Sequence, residues 1–211
     1  MIKTVIFDMD GTLLDSETLS RVATDYGFQE VFGRKLTDEE HSKLIGRPVQ
    51  LLMKEFYDQK GEIAYLKGRE FFEKHIKSIS PFEGVIELLN YLKERRINMA
   101  VVTSSHRDTA YLLLTMTGLI DYFDAVVGQE DTLYHKPEPD PIIRCMEKIG
   151  AISENTIYVG DQPYDIIAAR AAGIRSAGAT WGSGIEEILK EYNPEFICRN
   201  IEEFITVVRK A

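Results

Sequence analysis

The chain has 211 residues, of which 44% are hydrophobic and 28% are charged, as in one large globular domain or a domain with an insertion. A formal net charge of −9 argues against nucleic-acid binding, and no apolar stretch is long enough for a membrane helix. The two cysteines, Cys145 and Cys198, are too few for a disulfide framework, so we expect buried thiols and a reducing, cytoplasmic location.

The first predicted element is the short apolar strand Thr4–Phe7, which ends in Asp8 and Asp10. Because side chains alternate along a strand, both carboxylates should leave it on the same side. Two like charges at this distance repel each other unless a cation lies between them, which indicates a metal-assisted site. Taken alone, the pair is also typical of a helix N-cap followed by a turn aspartate.

Residues 16–80 contain helical patterns and no convincing strand. The patterns lie around Thr18–Tyr26, Asp38–Leu44, Val49–Gln59 and Ile63–Ile76. A helical insertion after the first strand would lie above the carboxyl end of the sheet, where open α/β sheets bind ligands. We therefore predict a core domain of residues 1–15 and 81–211 and a helical cap domain of residues 16–80. The alternative is that these helices merely flank the sheet.

Beyond residue 80, short apolar strands alternate with helical patterns. Strands are predicted at Asn98–Thr103, Ala125–Gly128, Thr156–Gly160 and Arg175–Ala179, with an edge strand at Phe196–Cys198. Helices are predicted at Val85–Arg95, Thr109–Thr117, Pro139–Ile149 and Tyr164–Ala172. This alternation predicts the α/β class: a Rossmann-like, doubly wound parallel sheet covered by helices on both faces.

Two polar motifs follow predicted strands in this second part. Thr103 ends the predicted strand Asn98–Thr103 and Ser104 follows it, and here a hydroxyl and backbone N–H groups form a cradle for an anion. Lys136 lies in the proline-rich loop His135–Pro141, which holds a lysine charge in a defined place. Each motif alone is also explained as a helix cap or a solvated surface lysine.

A further motif closes the strand Thr156–Gly160 with Asp161, and Asp165 follows one helical turn later. By themselves these acids are typical of a helix cap and its first turn. The four motifs together say more, because the carboxyl ends of parallel strands share one edge of the sheet. Acids, a lysine and backbone amides that meet there suit phosphoryl transfer assisted by Mg²⁺, which prefers hard oxygen ligands.

With these residues, the chain resembles the haloacid dehalogenase (HAD) superfamily. The four motifs of that superfamily match this chain in order and spacing, at Asp8–Thr12, Thr103, Lys136-Pro137 and Gly160–Asp165. The helical insertion resembles that of the C1-capped subclass, and Gly178–Gly182 resembles members of the phosphoglycolate-phosphatase type. The resemblance implies a Mg²⁺-dependent phosphatase that acts on a small phosphorylated metabolite.

The resemblance also implies roles for the acids. Asp8 would be the nucleophile that forms an aspartyl phosphate, and Asp10 would protonate the leaving alcohol and then activate water. Dehalogenases of this superfamily lack an acid at the position of Asp10, so this residue favours a phosphatase. The metal ligands would be Asp8, Asp10 through its carbonyl, and Asp161. Asp165 would be either a further ligand or a residue that supports the ligands without touching the metal.

Five further residues would bind the substrate. Thr103, the Ser104 amide and Lys136 would hold the transferred phosphoryl group, and Gly11 would let the backbone approach it closely. In the insertion, Arg47 lies in a loop between two predicted helices, where its charge suits a carboxylate or a second phosphate of the substrate. The alternative for Arg47 is a solvent-facing turn residue.

Two alternatives to a phosphatase stay open. One is a sugar phosphomutase that resembles β-phosphoglucomutase, although Ser20 replaces the histidine that marks that enzyme shortly after the first motif. The other is a non-catalytic binding protein on a HAD scaffold. Phosphoglycolate, sugar phosphates, pyrophosphate and nucleotides all remain candidate substrates. We expect a monomer or a simple homodimer that binds neither nucleic acid nor membranes.

Overall fold

The computed structural model describes residues 1–210, which form six β-strands and nine α-helices. The strands are β1 (Thr4–Phe7), β2 (Asn98–Val102), β3 (Ala125–Val127), β4 (Thr156–Gly160), β5 (Arg175–Ala179) and β6 (Phe196–Cys198). The helices are α1 (Glu17–Phe32), α2 (Asp38–Ser42), α3 (Val49–His75), α4 (Val85–Glu94), α5 (Arg107–Met116), α6 (Asp140–Ile149), α7 (Pro163–Ala171), α8 (Glu186–Glu191) and α9 (Ile201–Lys210).

The strands form one parallel sheet in the order β3-β2-β1-β4-β5-β6. The chain runs outward from β1 through β2 to β3, then returns to β4 on the other side of β1 and continues to β6. This reversal beside β1 is the switch point of a doubly wound sheet. The predicted α/β fold class is confirmed, and the observed strands end within one residue of the predicted ones.

Helices cover both faces of the sheet, which explains why its strands are nearly continuous apolar runs. On one face, Ile6 and Tyr158 are buried in a cluster with Ile142 of α6. On the other face, the ring of Phe7 makes an edge-to-face contact with Phe204 of α9 at a centroid distance of 6.3 Å. Helices α8 and α9 are absent from the sequence prediction, although the buried residues of α9 do follow helical spacing.

The chain divides into two compact units. One comprises Met1–Asp15 and Pro81–Ala211, and the other comprises Ser16–Ser80. The sheet and α4 to α9 lie in the first unit, and α1 to α3 lie in the second. Within residues 1–210, no helix combines the length and the apolar character needed to cross a membrane.

The second unit is built on the close packing of α1 against α3. A Cβ atom at Gly27 would lie 2.0 Å from the carbonyl oxygen of Ala64, so only glycine permits this approach. Helix α3 contains a break at Asp58, whose φ of 53° and ψ of −142° are not helical. The predicted helices Val49–Gln59 and Ile63–Ile76 therefore meet at a single non-helical residue instead of being separated by a loop.

Candidate active site

The carboxyl ends of β1, β2 and β4 lie side by side. In the parallel register, the last residue of β1 is opposite Val101 of β2 and Val159 of β4. Asp8 directly follows β1. Thr103 lies two residues beyond Val101, and Asp161 lies two residues beyond Val159. The sheet therefore gathers polar residues from three strands at one edge, the edge where open α/β sheets bind ligands.

At this edge, the buried ammonium group of Lys136 joins two carboxylates. Its Nζ donates to Oδ1 of Asp8 at 2.7 Å and to Oδ1 of Asp165 at 2.6 Å, and it lies 3.1 Å from the hydroxyl of Tyr158. The Lys136 side chain is 3% exposed, and those of Asp8 and Asp165 are 8% and 1% exposed. Charge-assisted bonds in such a buried place hold Asp8 in one orientation.

Burial also determines the charges of these groups. It raises the pKa of Asp8 well above the usual value, an effect that the charge of Lys136 opposes and the neighbouring carboxylates reinforce. Burial alone would lower the pKa of Lys136, but Asp165 and Asp8 hold that pKa well above its usual value, so the lysine stays charged. Burial raises the pKa of Tyr158, so its hydroxyl keeps its proton and donates to the carbonyl of Val102 at 3.0 Å.

Three buried carboxylates lie close enough together to share one cation. One oxygen each from Asp8, Asp161 and Asp165 lies within 4.8 Å of the other two. Thr12 Oγ1 donates to Oδ1 of Asp161 at 2.7 Å, and Gln162 Nε2 donates to Oδ2 of Asp161 at 2.6 Å. Hard oxygen atoms at this spacing fit a small divalent ion such as Mg²⁺, whose charge would relieve their mutual repulsion.

Asp10 lies beside hydroxyl groups. Ser105 Oγ donates to Oδ2 of Asp10 at 2.7 Å, and Thr103 Oγ1 lies 3.3 Å from the same oxygen. The Thr103 hydroxyl also accepts the backbone N–H of Ser105 at 3.0 Å, and the half-exposed Ser104 lies between the two in sequence. The two acids of the first motif thus have different partners: a buried ammonium for Asp8 and hydroxyls for Asp10.

The two remaining predicted residues, Gly11 and Arg47, lie in different units. Gly11 has a φ of +83°, and a Cβ there would lie 2.6 Å from Oδ2 of Asp161, so the turn beside this acid requires glycine. Arg47 is half-exposed in the unit of residues 16–80, where its Nη1 donates to the carbonyl of Lys43 at 3.4 Å. Its contact with substrate stays a prediction.

Four residues of this site have no role in the sequence prediction: Thr12, Ser105, Tyr158 and Gln162. A tyrosine within the otherwise apolar strand β4 is a detectable signal, because a buried phenol hydroxyl requires a polar partner. Thr12 and Ser105 lie inside or next to the recognised motifs, but a loop hydroxyl has several candidate partners in a sequence. Only the folded chain shows that one of them orients Asp161 and the other binds Asp10.

A parallel α/β sheet with acids and a buried lysine at its carboxyl edge is typical of enzymes. Residues 5–179 match the family model described as haloacid dehalogenase-like hydrolase. The chain therefore belongs to this family, as its motifs predict.

Relatives and solved structures resemble the chain over its whole length. It is 37% identical over 209 residues to the protein named "Putative pyrophosphatase PpaX" from Caldanaerobacter subterraneus subsp. tengcongensis, with 99% of this chain and 95% of that protein covered. It is 30% identical to pyrophosphatase PpaX of Oceanobacillus iheyensis, with 98% of this chain and 97% of that protein covered. A crystal structure titled "a predicted phosphatase" from Clostridium acetobutylicum has a TM-score of 0.88 at 27% identity, with 100% of both chains covered. The predicted class, a HAD-family phosphatase, is confirmed.

Replacing Lys136 with methionine should destabilise the protein, because Asp8 and Asp165 would lose their compensating charge. Breaking a buried ion pair costs about 3–5 kcal/mol. We expect the free energy of unfolding, measured by denaturant titration in EDTA, to fall by about this amount at about pH 8. Without the Lys136 charge, the already raised pKa of the buried Asp8 carboxyl rises further, so the folded variant binds a proton more readily and the loss should shrink as the pH falls.

The double variant Lys136→Met with Asp165→Asn is the matched control, because it removes one of the two uncompensated carboxylates. It should recover part of the lost stability at neutral and higher pH. A Lys136→Met variant that is as stable as the wild type, or whose loss is the same at about pH 8 and about pH 5, would contradict this account.

Proposed function

We propose that the chain is a Mg²⁺-dependent phosphatase that hydrolyses a small phosphorylated metabolite through an aspartyl phosphate on Asp8. The observation that carries the proposal is the buried Asp8 carboxylate, ion-paired with Lys136 at the edge of the sheet where ligands bind. A carboxylate held in one orientation beside a fixed positive charge is suited to nucleophilic attack. The cytoplasmic location predicted from the composition belongs to the same proposal.

In the proposed first step, a carboxylate oxygen of Asp8 forms a bond to phosphorus while the bond from phosphorus to the leaving oxygen breaks. Asp10, held by the hydroxyls of Ser105 and Thr103, gives its proton to that leaving oxygen. In the second step, Asp10 takes a proton from water, and the water oxygen attacks phosphorus. The bond between Asp8 and phosphorus breaks, which restores the carboxylate and releases inorganic phosphate.

The cation would be held by Asp8, the carbonyl of Asp10 and Asp161, with Asp165 beside them. When bound, it supplies positive charge that offsets the charge of the phosphoryl group. Lys136 stabilises the same site from within the protein, because it neutralises Asp8 and Asp165 where the phosphoryl group must approach.

Substrate binding is assigned to the surrounding loops. The hydroxyl of Thr103 and the N–H of Ser104 would hold the phosphoryl oxygens, while the turn at Gly11 keeps the backbone close. The three N–H groups of Lys136 already have protein partners, so its contribution to the phosphoryl group is its charge. Arg47 of the second unit would bind a further anionic group of the substrate, such as a carboxylate or a second phosphate.

The names of the two PpaX relatives support pyrophosphate as a substrate. Pyrophosphate carries the second phosphate for which the charge of Arg47 is suited. Its leaving group would be phosphate, which is a weaker base than the alkoxide released from a sugar phosphate. Protonation by Asp10 should therefore matter less for pyrophosphate than for an alkyl ester, which gives a test of the leaving group.

The Asp8→Asn variant should have no measurable turnover, because an amide is a poor nucleophile. With an alkyl phosphate, Asp10→Asn should lower kcat/KM by about 10²–10⁴-fold, the usual contribution of a general acid. With pyrophosphate the loss should be smaller. The control is Asp121→Asn, at an exposed aspartate in the turn before β3, which should keep wild-type rates. Substantial turnover by Asp8→Asn would refute the covalent mechanism.

A phosphate-release screen over a panel of metabolites tests the substrate class. The panel contains pyrophosphate, phosphoglycolate, sugar phosphates and nucleotides, each with Mg²⁺ and with EDTA. We expect release in Mg²⁺, loss in EDTA and recovery when Mg²⁺ is restored, with pyrophosphate among the best substrates. Activity that persists in EDTA would refute the metal assignment. Isomerised product without free phosphate would indicate a mutase, and no reaction with any substrate would indicate a binding protein.

A further inference from the structure

Residues 180–184, which follow β5, form a loop that is bonded to the turn after Asp10. The indole Nε1 of Trp181 donates to the carbonyl of Thr12 at 2.9 Å, and the backbone N–H of Ser183 donates to the carbonyl of Gly11 at 3.0 Å. A Cβ at Gly182 would lie 2.1 Å from the Gly11 carbonyl oxygen. This loop, which the catalytic scheme does not use, therefore touches the backbone that directly follows Asp10.

Thr12 links this loop to the carboxylate cluster. Its carbonyl accepts the hydrogen bond from Trp181, and its hydroxyl donates to Oδ1 of Asp161 at 2.7 Å. Thr12 is completely buried. Water therefore does not replace either bond, and a displacement of the Thr12 backbone would also displace the hydroxyl that orients Asp161.

Trp181 is itself held by the core of the sheet domain. Its ring lies 6.2 Å from the ring of Phe204, which in turn contacts Phe7 of β1 at 6.3 Å. The indole N–H thus projects from a packed aromatic group, whose place depends on the sheet and on α9. A donor fixed in this way helps to determine the position of the turn that accepts its bond.

We propose that Trp181 is a positioning residue that sets the affinity of the site for its divalent cation. It holds the carbonyl of Thr12, and Thr12 holds Asp161 in the orientation in which its carboxylate meets that of Asp8. The inference rests on the proposed function in one respect, namely that a cation binds at Asp8 and Asp161. Residues that orient a metal ligand through hydrogen bonds typically contribute about 10–100-fold to metal affinity.

The Trp181→Phe variant removes the indole N–H and keeps an aromatic ring against Phe204. Mn²⁺ serves as a spectroscopic substitute for Mg²⁺, and its binding is measured without substrate from the electron paramagnetic resonance signal of free Mn²⁺. We expect the Kd for Mn²⁺ to rise about tenfold. The Tm of the EDTA-treated variant should stay close to that of the wild type. A lowered Tm with an unchanged Kd would overturn the inference, since it would show a purely structural role.

A double-mutant cycle tests the route through Thr12. Thr12→Val keeps the shape of the side chain and removes the bond to Asp161, so it should also raise the Kd. If Trp181 acts through Thr12, the double variant should bind Mn²⁺ about as weakly as the weaker single variant. If the fold-increases in Kd of the two single variants multiply in the double variant, the two residues act independently, and this route would be overturned. Tyr122→Phe, which removes a hydroxyl bonded to Asn90, is the control and should leave the Kd unchanged.

The wild-type protein offers a measurement that needs no variant, because Trp181 is its single tryptophan. Its fluorescence should change when Mg²⁺ is added to the EDTA-treated protein and should saturate at the concentration that saturates binding. Emission that stays constant while Mg²⁺ binds would overturn the positioning role alone. A wild-type protein that binds neither Mn²⁺ nor Mg²⁺ would overturn the proposed metal-dependent function as well.

Discussion

The ammonium group of Lys136 donates to the carboxylates of Asp8 and Asp165 at 2.7 Å and 2.6 Å, with all three side chains buried. Carboxylates collected at one sheet edge would repel one another and take up protons if this charge were missing. A buried ion pair contributes little net stability compared with apolar packing. We therefore interpret the arrangement as one that serves chemistry: it keeps Asp8 oriented and leaves room for one further positive charge.

Glycine residues bring the backbone close to these acids. A Cβ at Gly160 would lie 2.3 Å from the carboxyl carbon of Asp165, and a Cβ at Gly11 would lie 2.6 Å from a carboxylate oxygen of Asp161. Gly160 ends β4, and Gly11 lies in the turn four residues beyond the end of β1. The strands bring the acids to one edge of the sheet, and the glycines allow close contact between the backbone and these carboxylates. The contact of Gly182 with the Gly11 carbonyl continues this packing into the loop that carries Trp181.

The strands were predictable because a parallel sheet buries both faces, and short apolar runs that end in turn residues are therefore distinctive. The gathering of Asp8, Thr103 and Asp161 at one edge followed from parallel topology. The partners of single side chains did not follow: Lys136 binds Asp8 across 128 residues of sequence, and Thr12 binds Asp161 across 149. Such contacts depend on the three-dimensional packing of loops, which a local pattern does not encode.

The central claim is that Asp8 becomes phosphorylated during turnover, and trapping of that intermediate tests it most directly. The protein is mixed with substrate and Mg²⁺, quenched in acid and treated with borohydride, which reduces an acyl phosphate on aspartate to homoserine. Peptide mapping by mass spectrometry should then find homoserine at position 8, only when substrate was present. An unmodified Asp8 in samples that turned over substrate, or modification of a different acid, would contradict the account.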